Sequence, residues 1–198
     1  MKSLSLSTPH LIIMVGIPGS GKSFFAEHFA ETFNAPIINH DILRHDLFSQ
    51  PTFGKDEQDI INRVASHMLH ELLKTKRTIL YEGATNQRTS RSLLAKKARD
   101  AGYEPLFVWV QTESVTAKKR ATKPSNGHQF LTVAQFDDQL KQFSAPHQSE
   151  KVIVMSGKHT YASQLKIILK HLAGPRAEAS QQQANASRPQ SYRNIPIR

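Results

Sequence analysis

Eight consecutive residues, Gly16-Ile17-Pro18-Gly19-Ser20-Gly21-Lys22-Ser23, carry the densest chemical signal in the chain. They fit the pattern G-x-x-x-x-G-K-[ST], whose glycines free the backbone to turn successive N–H groups toward phosphate oxygens. A lysine at the end of such a loop reaches the β- and γ-phosphates of a nucleoside triphosphate, and the adjacent hydroxyl ligates Mg²⁺. Lys22 and Ser23 take those two parts. Phe24 closes the segment expected against the nucleotide, and the simplest reading of its ring is helix packing. Further along, Asn39-His40-Asp41-Ile42-Leu43-Arg44 sets Arg44 one helical turn beyond Asp41. A carboxylate beside a triphosphate can take the proton of an acceptor hydroxyl, while a guanidinium orients an anionic or polar acceptor. The same pair also fits a helix N-cap aspartate with an i,i+3 salt bridge.

Such groups need rigid elements to hold them. Residues 10–15 form a continuous apolar run, expected for a strand buried on both faces of a parallel sheet. Residues 21–33 follow as a helix with Phe25, Phe29 and Phe33 on one face. Residues 36–39 read as a short strand. A helix over 60–73 then carries two adjacent apolar stripes, Ile60/Val64/Met68/Leu72 and Ile61/Ala65/Leu69/Leu73. Strands at 78–81, 106–110 and 152–155 enclose a helix over 89–101, which Gly102 stops. A last helix covers 160–173. The expected fold is α/β: a three-layer sandwich with a five-stranded parallel sheet. Strand carboxyl ends in such a sheet face the ligand crevice, which brings Asp41 beside the triphosphate.

Composition narrows the classes. The 198 residues are 38% hydrophobic and 21% charged, which excludes a bilayer span or a wholly disordered polymer. The first apolar run is too short, and too close to a glycine-rich loop, for a signal peptide. With no cysteine, disulfide scaffolds, thiolate metal sites and thiol nucleophiles are excluded, and a reducing cytoplasmic setting is the simplest expectation. A formal charge of +10 favours polyanionic partners, or serves solubility alone. After Ala173 the composition changes. Residues 174–198 lack Leu, Val and Phe and hold four arginines against one glutamate, so a disordered basic tail is expected beyond a folded domain over 1–173. No N-K-x-D segment for reading guanine is present. His67, His70 and Glu71, or His40, Asp41 and His45, lack the usual zinc spacing and read by default as surface or lid groups.

The order of these pieces resembles the small P-loop kinases grouped with polynucleotide 5′-kinase, with zeta-toxin kinases more distant. The resemblance covers about residues 10–172 and implies a P-loop NTPase fold like that of the nucleoside-monophosphate kinases. It also implies ATP and Mg²⁺ as cofactors. By that likeness Asp41 is the general base and Arg44 holds the acceptor. The family's next segment is a strand, D-A-T-N and an arginine; here it reads Glu82-Gly83-Ala84-Thr85-Asn86, followed by Arg88 and Arg91. Glu82, one residue early, either holds Mg²⁺ through water or points into the sheet. A short helical lid is implied at about 117–147, carrying Lys118-Lys119-Arg120-Ala121-Thr122-Lys123. Arg120 would stack on adenine or clamp the phosphoryl group in transfer. Phe143-Ser144-Ala145-Pro146, Glu150 and residues 152–157 resemble the family's closing segment, with the loop 156–158 against the adenine. The implied reaction moves the γ-phosphoryl of ATP to a hydroxyl on a nucleic-acid 5′-end, a nucleotide or a small metabolite. Two alternatives remain: an RNA-associated nucleotide-binding protein with slow hydrolysis, or a zeta-toxin-like sugar-nucleotide kinase. No membrane partner is expected.

Overall fold

The structure, a computed structural model, describes residues 8–123, 131–147 and 149–172. The expected basic tail at 174–198 and residues 124–130 of the expected lid lie outside the described residues. Among the described residues, five strands run in chain order: β1 (His10–Val15), β2 (Ile37–Asn39), β3 (Ile79–Glu82), β4 (Glu104–Gln111) and β5 (Val152–Ser156). They form one sheet in the order β2-β3-β1-β4-β5, with every neighbouring pair parallel. Seven helices among the described residues connect and cover it: α1 (Lys22–Phe33), α2 (His40–Leu47), α3 (Lys55–Lys74), α4 (Arg88–Asp100), α5 (Ser114–Ala121), α6 (Val133–Gln142) and α7 (Tyr161–Leu172). No helix among the described residues is long and apolar enough to cross a membrane.

The alternation of side chains along β1 explains its unbroken apolar run. Leu11, Ile13 and Val15 point into a core shared with Ala65, Leu69, Leu94 and Ala98 of α3 and α4. Ile12 and Met14 point the other way, against Phe25 and Phe29 of α1 and Ile168 of α7. All five β1 side chains from Leu11 to Val15 are 0% exposed. At about 1.5–3 kcal/mol for each large side chain taken from water, this strand anchors both layers. The three-layer α/β sandwich read from the sequence is the observed one.

The connections create the crevice. From the carboxyl end of β1 the chain enters α1 on one face, while from the carboxyl end of neighbouring β3 it enters α4 on the other. Adjacent strands whose following helices part in this way leave a ligand-sized gap at their ends.

Some boundaries differ from those that periodicity suggests. Helix α3 begins at Lys55, five residues before its first apolar residue, because its first turn is polar and acidic. Of its two apolar stripes, Ile61/Ala65/Leu69/Leu73 is buried, whereas Ile60 is 46% exposed. Helix α6 falls inside the helical lid implied at about 117–147, without bounds of its own there, though Thr132 and Gln135 form a capping box ahead of it, a readable signal. Phe24 is corrected as well: its ring is 46% exposed and rests 4.5 Å from that of His28, so it packs no core.

Candidate active site

The phosphate loop spans the gap between β1 and α1. Gly19 has φ +71, and a Cβ there would fall 2.2 Å from the carbonyl oxygen of Ala117 in α5. Only glycine fits between the loop and that helix. The adjoining Ile17 packs with Ala117 and Phe136 in a small third core, seating the lid helices α5 and α6 on the loop. Lys118 joins the two helices by an ion pair with Asp137 at 2.8 Å. Lys22 lies across its own loop, its Nζ donating to the Ile17 carbonyl at 3.1 Å.

Ser23 opens α1 and faces the end of β3. Its Oγ donates to Glu82 Oε1 at 2.9 Å, and Asn39 Nδ2 donates to Glu82 Oε2 at 3.1 Å. The register puts Asn39 and Glu82 side by side at the ends of β2 and β3. The Glu82 carboxylate therefore turns to the phosphate loop. Burial pushes its carboxyl up from the ordinary value, opposed by the Lys22 charge and the Ser23 hydrogen bond. A cation at Ser23 would relieve that cost. Hydroxyl and carboxylate oxygens are also the hard donors that Mg²⁺ prefers, so this pair fits the ion.

Asn39 also begins α2. Its Oδ1 accepts from the N–H groups of Asp41 and Ile42 at 2.8 and 3.2 Å, so the N-cap is Asn39, which excludes the reading of Asp41 as a cap. Asp41 is left with a carboxylate 75% exposed, held at 3.1 Å by Arg44 Nη1. The expected i,i+3 pair does form. Arg44 itself is buried: its Nε donates to Glu57 at 2.6 Å, its Nη2 to Gln58 at 2.6 Å, and its guanidinium lies 4.7 Å from the Phe53 ring centroid. In this arrangement Arg44 fixes Asp41, α2 and α3 together.

Gly83, where the resembling family has aspartate, has φ +135, and a Cβ there would lie 2.1 Å from the His40 ring. The ring fills that room and hydrogen-bonds Tyr81 Oη through Nε2 at 2.9 Å. Burial pushes the His40 imidazole from 6.5 down to about 4, with Asp41 raising and Arg44 lowering it to lesser extents. Above pH 6.5 the imidazole is neutral in both folded and unfolded chains, and its contribution to stability is complete. Between 6.5 and 4 the unfolded chain takes up the proton first, so stability falls with pH by up to roughly 3 kcal/mol. Glu82 acts with the opposite sign, because its raised carboxyl favours the folded state on acidification. We expect the melting temperature to fall between pH 7 and 4, and to fall less steeply in His40→Asn. Parallel profiles for the two proteins would contradict the assignment to His40.

Two further ties close the site. Arg91, 0% exposed, makes a two-pronged pair with Glu150 at 2.7 and 2.9 Å. Its Nη1 also donates to the carbonyls of Thr85, Asn86 and Ser144. It thus joins the loop after β3 to the segment beyond α6, and Arg88 Nη2 adds a bond to Ser149 Oγ. Arg120, at the end of α5, donates from Nη1 to the Gly157 carbonyl at 3.1 Å, joining the lid to the loop after β5. Lys123 and Lys119 are exposed.

The sequence-predicted groups therefore converge in part. Lys22, Ser23 and Glu82 meet, Asp41 joins them through Asn39, and Arg120 stands on the lid over Gly157. Asn39, Glu57, Glu150 and His40 were not singled out for the roles they fill. An asparagine ahead of a helical pattern is a capping signal that could have identified Asn39. Nothing local announces the partners of Glu57 and Glu150.

Comparisons with known proteins agree with this geometry. Residues 11–146 match the family described as AAA domain. No curated protein matches the chain. A gluconokinase from Sinorhizobium meliloti 1021 superposes with TM-score 0.60 at 19% identity, over 91% of this chain and 99% of that one. The APS kinase of Mycobacterium tuberculosis, solved with AMPPNP and APS, gives TM-score 0.60 at 19% identity, over 84% and 99%. A chain of the Pnkp1/Rnl/Hen1 RNA repair complex gives 0.59 at 24% identity, over 70% of this chain and 45% of that one. With the family match running through the phosphate loop, the Glu82 strand and the lid helices, the chain belongs to the AAA domain family and has the fold of the P-loop kinases.

Proposed function

We propose that this protein is a phosphotransferase that moves the γ-phosphoryl group of ATP to a hydroxyl acceptor. The observation that carries the reading is the hydrogen-bonded run Ser23–Glu82–Asn39, ending on the helix that presents Asp41 to solvent. A protein that only bound nucleotide would need the first half of that run and not the second.

In this reading, backbone N–H groups of Gly16, Ile17, Pro18's neighbours Gly19, Ser20 and Gly21, and those of Lys22, Ser23 and Phe24, surround the phosphates. Pro18 has no N–H and serves by fixing the turn. Lys22 leaves the Ile17 carbonyl to meet the β- and γ-phosphates. Ser23 and Glu82 would hold Mg²⁺, and the bound ion would supply charge neutralisation at the phosphates. Asp41 takes the proton of the acceptor hydroxyl as its oxygen bonds to the γ-phosphorus and the bond to the β-phosphate oxygen breaks, releasing ADP. Arg44, bound on several sides, keeps the Asp41 carboxylate in place and has two N–H bonds left for an acceptor. Arg120, brought from α5, meets the charge that spreads over the transferring group.

The structural neighbours named above are kinases of a sugar acid and of APS, and part of an RNA repair complex, so the acceptor classes they suggest are a metabolite hydroxyl or a nucleic-acid end. The test is incubation with γ-labelled ATP and a mixture of 5′-OH oligonucleotides, nucleosides and cell metabolites. A labelled acceptor is expected. Asp41→Ala should slow its formation by ~10²-fold or more while ATP affinity, read by calorimetry, is retained. Label appearing only as inorganic phosphate would overturn the reading and favour a nucleotide-dependent RNA-binding protein.

A further inference from the structure

At the end of the sheet opposite the phosphate loop, a cavity of about 770 Å³ opens between α3 and α4. Its place follows from the topology. Lys76 and Ala101, which line it, precede β3 and β4, whereas the phosphate loop leaves the carboxyl end of β1. At about 3.3 Å of rise per residue, the length of β1 puts roughly 20 Å between the two.

One wall is a polar stripe of two permanent cations and two imidazoles. Arg63, His67, His70 and Lys74 recur at i, i+4, i+7 and i+11 on α3 and so share one helix face. That face adjoins the buried stripe, whose Leu69 and Leu73 supply an apolar floor. Lys97 approaches from α4 and Lys76 from the turn before β3, while Asp100 is the one acid in the lining. Some of these cations already have partners: Lys97 bonds Ser66 at 2.9 Å, Lys76 the Ala101 carbonyl at 2.7 Å, and Lys74 pairs with Glu71 at 2.7 Å. Arg63 has no ion-pair partner among the described residues. The excess of positive charge therefore faces an open groove.

We propose that this groove binds the phosphate backbone of single-stranded nucleic acid. Length argues for a polymer. From Arg63 to Lys74 the stripe runs about 16 Å at 1.5 Å per residue. A stacked strand carries one phosphate per ~3.4 Å, so the stripe lies beside several in succession, and a mononucleotide would meet only part of it. No Phe, Tyr or Trp is among the lining residues, so the only rings available to stack on bases are the imidazoles of His67 and His70, and binding depends little on base sequence. The groove shares no residue with the phosphotransfer site, and the proposal stands or falls apart from it.

The test is fluorescence anisotropy of the full chain with a labelled, mixed-sequence single-stranded RNA of about 15 nucleotides, between roughly 50 and 200 mM salt. Binding that weakens steeply with salt is expected. Arg63→Glu with Lys74→Glu, both at exposed helix positions, should weaken it about tenfold or more and lower the salt slope by about 2. Lys166→Glu with Lys170→Glu makes the same charge change at exposed positions on α7 and should stay near the wild type. If the reversed pair melts early, Arg63→Gln with Lys74→Gln asks the same question with a milder change. Equal losses from the groove and α7 pairs would overturn the proposal, as would no RNA binding at about 50 mM salt. Displacement of the RNA by AMP at comparable molarity would overturn the polymeric ligand.

Discussion

Replacing Lys22 with alanine should lower phosphoryl transfer by about 10³-fold, the largest catalytic loss expected from any single change in the protein. In the proposed reaction the charge removed is the one that would reach the phosphates where negative charge builds in transfer. Stability should barely change, because the ammonium makes a single hydrogen bond, to the Ile17 carbonyl at the mouth of the loop. Single-turnover assays with labelled ATP, set beside thermal melting, separate the two effects. A folded Lys22→Ala protein with transfer reduced less than about tenfold would mean that the loop does not hold the reacting phosphates. Lys22→Arg should recover little, since a planar fork is a poor substitute for a compact ammonium in so tight a loop.

The largest loss of stability should come from Arg91→Ala. Arg91 is wholly buried and bound to Glu150 and to three backbone carbonyls. Removing one partner of a buried ion pair costs about 3–5 kcal/mol, because the other charge remains without compensation. For a domain of this size the melting temperature should drop by roughly 10 °C. Glu150→Ala should cost less. Its carboxylate is the acceptor for one side of the guanidinium and for the His147 N–H, while the carbonyls of Thr85, Asn86 and Ser144 keep their donor. Chemical denaturation of the two single variants and the double variant measures the difference. If Glu150→Ala proved the more damaging, the carbonyl contacts would carry little and the ion pair nearly everything.

What could be read from the residues, and what could not, divides by the distance over which the cause acts. The Gly16–Ser23 pattern and the continuous apolar run ahead of it are local, and they located the loop, β1 and α1. The alternation of apolar runs with helical stripes sufficed for the parallel sheet. Arg91 and Glu150 are far apart in the chain, and only the order β3-β1-β4-β5 brings the α4 helix to the segment leading into β5. Arg44 was legible as a partner of Asp41, one turn away, but its burial against Glu57 depends on how α2 packs on α3. Gly83 looked like a missing carboxylate. Its explanation, the His40 ring in the same space, needs β2 and β3 side by side. The capping box before α6 is present in the residues, but the apolar pattern that follows it is weak.

Asn39 leaves the protein with an internal linkage that neither of its neighbours has alone. One amide group grips the Glu82 carboxylate with its nitrogen and the first turn of α2 with its oxygen. If the proposed ion binds beside Ser23 and Glu82, a shift of that carboxylate would be passed to α2 or break the Asn39 bond. One side chain thus couples the ends of β2 and β3 to α2, and in the proposed reaction a nucleotide seated without its ion would leave Asp41 out of alignment.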